Sequence, residues 1–184
     1  MLARRAAAQL LLIDIQSKLA PHVADHASII KNVARLIAYA KRLAVPITVT
    51  EHYPQGIGAT VPALAGLLGN ETPRLDKITF SAWQTPAIRA RIDGLRKAGR
   101  GQVVVAGMES HICVLQTSLD LLANDFEVLL VADAAGSRRH EDRQLALNRL
   151  DKAGAAVVTH EMIGFEWLER GATPEFKDLI GVIK

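Results

Sequence analysis

The sequence predicts an α/β fold of three layers, α/β/α, with about six mostly parallel strands and helices on both faces. Three observations predict it. Short apolar runs alternate with amphipathic stretches about six times along the chain, the pattern that builds parallel sheets from crossover units. The runs are rich in Val, Ile and Leu without alternation, as strands covered on both faces require. Of the 184 residues 49% are hydrophobic, 4% aromatic and 22% charged, which suits aliphatic strands under Ala- and Leu-rich helices and excludes disorder. That length fits one domain, taken as residues 1–184.

Each element follows in order. Gln9 to Ile13 is a continuous apolar run closed by Asp14, and reads as a strand. Ala27 to Leu43 carries Ile30, Val33, Leu36, Ile37 and Ala40 at helical spacing, with Asp25 or Ser28 available as a cap. Val45 to Thr50 is a strand with Pro46 confined to its start. Glu51 to Arg74 holds seven Gly and Pro residues and reads as a long loop with one short helix near Val61 to Leu68. Arg74 to Ile78 is a short strand, Thr85 to Ala98 a helix, and Gln102 to Ala106 a strand ending at Gly107. Ile112 to Ala123 is a helix, Phe126 to Ala132 a strand, Glu141 to Lys152 a helix and Ala155 to Thr159 a last strand. Terminal helical turns follow from about Phe165.

The formal charge is +3, and basic residues form no run longer than pairs such as Arg4-Arg5, Lys41-Arg42 and Arg138-Arg139. A nucleic-acid footprint needs clustering, so no nucleic-acid partner is expected. No run is long enough to span a bilayer, and the apolar stretch after Arg4-Arg5 stops at Asp14, too soon for a signal peptide. The single cysteine excludes an internal disulfide framework and predicts a reducing, cytoplasmic setting.

In open parallel sheets the chemistry lies beyond the carboxyl ends of the strands. That rule selects Asp14, Glu51, His52, Lys77, the turn from Gly107 to Cys113, and Asp133. Cys113 falls in the first turn of a helix, where free N–H groups and the helix dipole favour a thiolate and can hold an oxyanion; the plainer reading is a buried, inert thiol. Asp14 closes an apolar strand, a costly place for a carboxylate without a partner, and is too far from the next helix to cap it. Lys77 stands in a short apolar stretch, as a partner or as a snorkelling surface lysine. A carboxylate and an ammonium group beside a thiol can take its proton and return it to a leaving group.

Three segments carry a resemblance: Leu11-Leu-Ile-Asp-Ile-Gln16, Asp76-Lys-Ile-Thr-Phe-Ser-Ala-Trp83 and Ala106-Gly-Met-Glu-Ser-His-Ile-Cys-Val114. Two more support it, Thr50-Glu-His-Tyr-Pro-Gln-Gly-Ile-Gly58 and Val131-Ala-Asp-Ala-Ala-Gly-Ser137. In these the chain resembles the isochorismatase-like cysteine hydrolases, which include nicotinamidases and carbamoylsarcosine amidases. The resemblance implies a triad of Asp14, Lys77 and Cys113, with the backbone N–H groups of Glu109 and Cys113 as oxyanion hole and a cis peptide at Met108-Glu109. It implies C–N hydrolysis of a small neutral amide through a thioacyl intermediate, and a homo-oligomer in which neighbouring subunits close the pocket. Metal-binding nicotinamidases carry Asp-x-His after the second strand. Here Glu51-His52-Tyr53 stands there, so neither metal nor cofactor is expected.

Candidate pocket residues are Gln16, two past Asp14; His52 and Tyr53, opening the long loop; Phe80 and Trp83, just past Lys77; and His111, two before Cys113. Each has a plainer reading as core, cap or exposed loop. Asp133 is expected to hold the turn from Ala134 to Ser137, and His140 and His160 to lie at the surface. Three other functions compete: a non-catalytic or redox-sensing member of the fold, vinyl-ether hydrolysis, and dinucleotide binding. The last lacks a Gly-x-Gly-x-x-Gly turn after the first strand, where Asp-Ile-Gln-Ser stands.

Overall fold

The computed structural model describes residues 1–183. Six strands form one sheet: β1 (Ala8–Ile13), β2 (Ile47–His52), β3 (Arg74–Lys77), β4 (Gln102–Met108), β5 (Glu127–Gly136) and β6 (Ala156–Val158). Their order is β3-β2-β1-β4-β5-β6, and every pairing is parallel. The sheet is thus wholly parallel, because each connection returns the chain through at least one helix to the same end.

The helices are α1 (His26–Arg42), α2 (Pro54–Ile57), α3 (Pro62–Leu68), α4 (Pro86–Lys97), α5 (Leu115–Ala123), α6 (His140–Lys152), α7 (His160–Leu168) and α8 (Pro174–Ile183). Alternate strand residues feed two cores. Leu10 and Leu12 of β1 and Val104 and Ala106 of β4 pack beneath α1, α3, α7 and α8. Leu11 and Ile13, with Val103 and Val105, pack beneath α4, α5 and α6. Burying each Leu or Ile contributes about 1.5–3 kcal/mol, and β1 and β4 are buried at every position.

The structure corrects several boundaries. β2 starts after Pro46 and runs on to His52, so Glu51 and His52 belong to the strand rather than to the loop. That loop contains α2 as well as α3. β5 continues four residues past Ala132 by a break in register: Val105 faces Leu130, but Gly107 faces Ala135 and Met108 faces Gly136. The extra β5 residues bulge, and the resumed pairing carries the strand end to the level of the turn after β4. Asp133 therefore lies inside β5 and does not hold a turn. Asp25 occupies the cap position of α1 at φ 56° but makes no side-chain cap bond. α7 begins at His160, earlier than expected.

The strand order reverses direction at β1, which lies between β2 and β4. A crevice opens beyond the carboxyl ends at such a point, and Asp14 stands there.

Candidate active site

Asp14 follows directly on Ile13, which pairs with Thr50 of β2 and Gly107 of β4. It adopts φ 52°, a conformation that short polar residues tolerate better than most. Its side chain has no solvent exposure. Oδ1 accepts a hydrogen bond from the Thr50 hydroxyl at 2.7 Å, and Oδ2 lies 2.7 Å from the Lys77 ammonium. Apart from that ion pair, Oδ2 has no hydrogen-bond partner among the described residues.

Lys77 ends β3 opposite His52, and its side chain is as buried as that of Asp14. Its Nζ also donates to the carbonyls of Thr79 and Phe80, both at 3.1 Å. The ammonium does not reach the surface, so the snorkelling reading is excluded. A pair of ionisable groups at this depth needs each other and further hydrogen bonds to offset the loss of water.

Cys113 lies on a single π turn, Ser110–Val114, leading into α5. Such turns interrupt helices chiefly where function demands it. The thiol is buried and interacts with both Asp14 and Lys77. Its pKa is pushed up to about 12, first by burial, then by the Asp14 carboxylate; Lys77 works in the opposite sense. The expectation that the helix end would favour thiolate is thus reversed at rest. Losing the proton to solvent would leave two anions against one cation in a dry site. Passing it to Asp14 keeps the net charge unchanged.

The turn is held close to β1 by Gly107, at φ 135°. A Cβ there would fall 2.1 Å from the Ile13 carbonyl oxygen, so only glycine allows the strands this approach. The Met108-Glu109 peptide bond is cis. The Glu109 carbonyl accepts from the N–H groups of Ile112 and Val114 at 3.1 and 3.2 Å, closing the turn. The Glu109 carboxylate accepts from the Arg138 N–H at 3.1 Å and from its Nε at 3.0 Å. His111 Nδ1 and Ser137 Oγ are hydrogen-bonded at 2.9 Å. Neither Ser137, Arg138 nor Thr50 was singled out as a site residue. Arg138 carried a signal only as half of a basic pair.

Gln16 is buried, and its amide bonds the His52 backbone at both N–H (2.7 Å) and carbonyl (3.0 Å) and also the Gly58 carbonyl. It braces the site from behind. The half-buried His52 ring stacks on Phe80 with centroids 5.6 Å apart, and its Nδ1 is buried without a partner. Burial first, then Lys77, lower its pKa, while Asp14 and the Thr79 carbonyl work the other way. Tyr53, Ile78 and Phe80 are all more than half exposed and form an apolar rim at the ends of β2 and β3. Trp83 is not at that rim: it is buried edge-on against Phe126, in the core.

Glu51 is buried, and one carboxylate oxygen accepts from both the N–H (2.7 Å) and the hydroxyl (2.6 Å) of Thr60. It clamps the loop after β2. Among the described residues no group of three or more His, Cys, Asp or Glu side chains could hold a metal ion. His140 is exposed as expected. His160 is not: it is buried against Asp133, with Nδ1 2.6 Å from Oδ2 and its N–H bonded to Oδ1, because α7 docks its first turn on the bulged β5. A cavity of about 630 Å³ lined by Leu2, Arg4, Phe165 and Glu166 lies near the amino ends of the strands, away from Asp14, Lys77 and Cys113.

Comparison with known proteins shows the family and relatives of the same fold. Residues 8–162 match the isochorismatase domain family. Mouse isochorismatase domain-containing protein 2A is 37% identical over 95% of this chain and 82% of its own length; the human isochorismatase domain-containing protein 2 is 36% identical over the same shares. Among solved structures, one described as MAR1 ribonuclease from Caenorhabditis elegans superposes with a TM-score of 0.92 at 34% identity, covering 100% of this chain and 92% of that one. The YcaC product of Escherichia coli, described as an octameric hydrolase of unknown specificity, superposes at 0.89 with 24% identity over 99% and 90%, a likeness of fold. No helix among the described residues is long and apolar enough to cross a membrane.

Proposed function

The chain belongs to the isochorismatase family, a family of hydrolases, and on that premise we propose that it cleaves a C–N amide bond of a small molecule through a thioacyl intermediate on Cys113. One observation carries the reading: a fully buried Asp14–Lys77 ion pair at 2.7 Å with the only thiol of the chain against it. A buried pair is poor evidence of stability as such, and in a crevice beyond strand ends it marks a site for proton transfer.

In this reading the substrate carbonyl lies against the N–H groups of Glu109 and Cys113. The thiol proton moves to Asp14 as Sγ attacks the carbonyl carbon, and the electron pair of the C=O bond moves onto oxygen. Lys77 keeps the exchange neutral by facing the carboxylate before transfer and the sulfur after it. The oxyanion then collapses, the C–N bond breaks, and Asp14 gives its proton to the leaving nitrogen. Water next loses a proton to Asp14 and attacks the thioester. The C–S bond breaks, the acid leaves, and the proton returns to sulfur. No metal or cofactor takes part.

His52, Tyr53 and Phe80 line the entrance, with His111 beside the turn; Gln16 and Trp83 support it from behind. The charges at the site are paired, Asp14 with Lys77 and Glu109 with Arg138, which favours a small neutral amide. A second copy covering the exposed Tyr53, Ile78 and Phe80 would complete the pocket, so the working form is a homo-oligomer of the 1–184 domain. A thiol nucleophile works in a reducing compartment, consistent with the cytoplasm.

The worm neighbour's description as a ribonuclease raises a second reading, phosphodiester cleavage. Residues that act as acid and base with a nucleophilic thiol favour acyl transfer instead. The test is a panel of primary amides read by ammonia release, with an RNA arm alongside. Turnover of an amide that vanishes in Cys113→Ala supports the proposal. RNA cleavage that survives Cys113→Ala, with no amide turned over, overturns it.

A further inference from the structure

The oxyanion side of the site is held by a residue outside the triad. Glu109 precedes the nucleophile by four positions, and its carboxylate has 7% of its surface exposed. A side chain shares its residue's own peptide group, so this carboxylate stands within a few ångströms of the N–H on which a substrate oxyanion would rest. Left alone, that negative charge would oppose the charge that develops in the reaction. It is not left alone: Arg138 donates both its backbone N–H and its Nε to the same carboxylate oxygen. One residue earlier, the buried Ser137 ties His111 to the same strand end. Both partners stand there only because β5 bulges between Leu130 and Ala135 and then resumes pairing beside β4.

We propose that Arg138 is a positioning residue for the oxyanion turn, holding Glu109 in place and neutralising the carboxylate beside the oxyanion. This rests on the hydrolase reading and deepens it. The guanidinium is 59% exposed, so its loss leaves the cores untouched, and the backbone N–H of residue 138 still holds the buried carboxylate. Its effect falls on the transition state. Removing Arg138 frees the turn and uncovers the charge. Removing the Glu109 charge as well relieves the second of these.

The probe is p-nitrophenyl acetate, a small activated ester that reports acylation of Cys113 without knowledge of the natural substrate. The full-length protein is compared with Arg138→Ala, Glu109→Gln and the pair, with Cys113→Ala as blank. Arg138→Ala is expected to lower kcat about 10- to 100-fold, less than loss of an oxyanion donor itself, with KM and melting temperature little changed. Glu109→Gln added to Arg138→Ala is expected to restore part of kcat, and methylguanidinium to rescue Arg138→Ala alone. A wild-type kcat in Arg138→Ala overturns the proposal, as does a further fall in the double variant or a loss that tracks melting temperature. If the wild type releases p-nitrophenol in a Cys113-dependent way that Arg138 does not influence, only this inference fails. If it shows no Cys113-dependent release, the hydrolase reading fails and takes this with it.

Discussion

Asp14 and Lys77 stand at strand ends, whereas Glu109 and Cys113 stand on a turn, and the two halves of the site are held by different forces. The half proposed for acid–base work is locked by buried side-chain contacts at strand ends: Asp14 by Thr50 and Lys77, Lys77 by two carbonyls of the following segment. The half proposed to hold the oxyanion is held by point contacts from just past β5, one of them largely exposed. The difference separates two tolerances. A charge in the first half cannot be altered without disturbing the fold, while the second half can be loosened with the fold intact.

Breaking the first half is expected to have the largest effect. Lys77→Met leaves Asp14 as an uncompensated buried charge and should lower unfolding free energy by about 3–5 kcal/mol, measured by urea denaturation. Asp14→Asn with Lys77→Met should regain most of that stability while Cys113-dependent turnover stays absent. Equal stability of Lys77→Met and wild type would show that the pair is not buried as described.

Gly107→Ala joins the halves and comes next. A Cβ against the Ile13 carbonyl in a backbone conformation at φ 135° should cost about 1–3 kcal/mol in strain alone and more for the clash. Activity should fall with it, as the turn is pushed from Asp14. An unchanged melting temperature would mean that β1 and β4 can part without cost.

Titration distinguishes the halves more finely. Thiolate absorbance of Cys113 should rise far above the ordinary range of about 8.5, toward about 12. Asp14→Asn should move the rise down and Lys77→Met up. The sign carries over to stability. A thiol whose folded pKa is raised is protonated in the native state while the unfolded chain already ionises, so its stabilisation is complete below the unfolded value. It is then lost as pH climbs toward the folded one. Tyr39, likewise pushed up to about 12 by burial, adds to the loss only above its usual value near 10. Cys113→Ala should therefore flatten the lower part of the alkaline decline in melting temperature.

The smallest effect belongs to the rim. Phe80→Ala removes one member of an exposed stack and should cost about 0.5–1.5 kcal/mol at most. Its mark should be a higher KM with kcat nearly preserved in the ester assay.

The Asp14–Lys77 half was legible from the chain because strands leave a clear pattern: an aspartate after Ile13 and a lysine between Leu75 and Ile78 are polar intrusions into apolar stretches. Alternation predicts the layered parallel sheet, but the strand order that brings them together is visible only in the structure. The other half left little trace. The bulge in β5 is set by long-range pairing that no local period reveals, and it carried the strand past Asp133 to Gly136. His160 looked like an exposed helix start because its partner, Asp133, is distant in sequence. The cis bond at Met108-Glu109 is implied only by the family resemblance, and the π turn Ser110–Val114 has no signal in a sequence that reads as a plain helix from Ile112. Arg138 looked like scattered surface charge because its partner, Glu109, lies across the sheet. The thiol's proton affinity was misjudged because the helix end was weighed without the depth of burial.

The sheet order has a consequence for the order of synthesis. β1, β2 and β3 are neighbours, so a chain emerging from the ribosome can join Asp14 to Lys77 once β3 is made, while the edge of β1 stays bare. β4 docks on that edge later and brings Cys113 with it. On the proposed mechanism the proton acceptor would be in place before the nucleophile is made, and such an intermediate would be structured yet chemically silent.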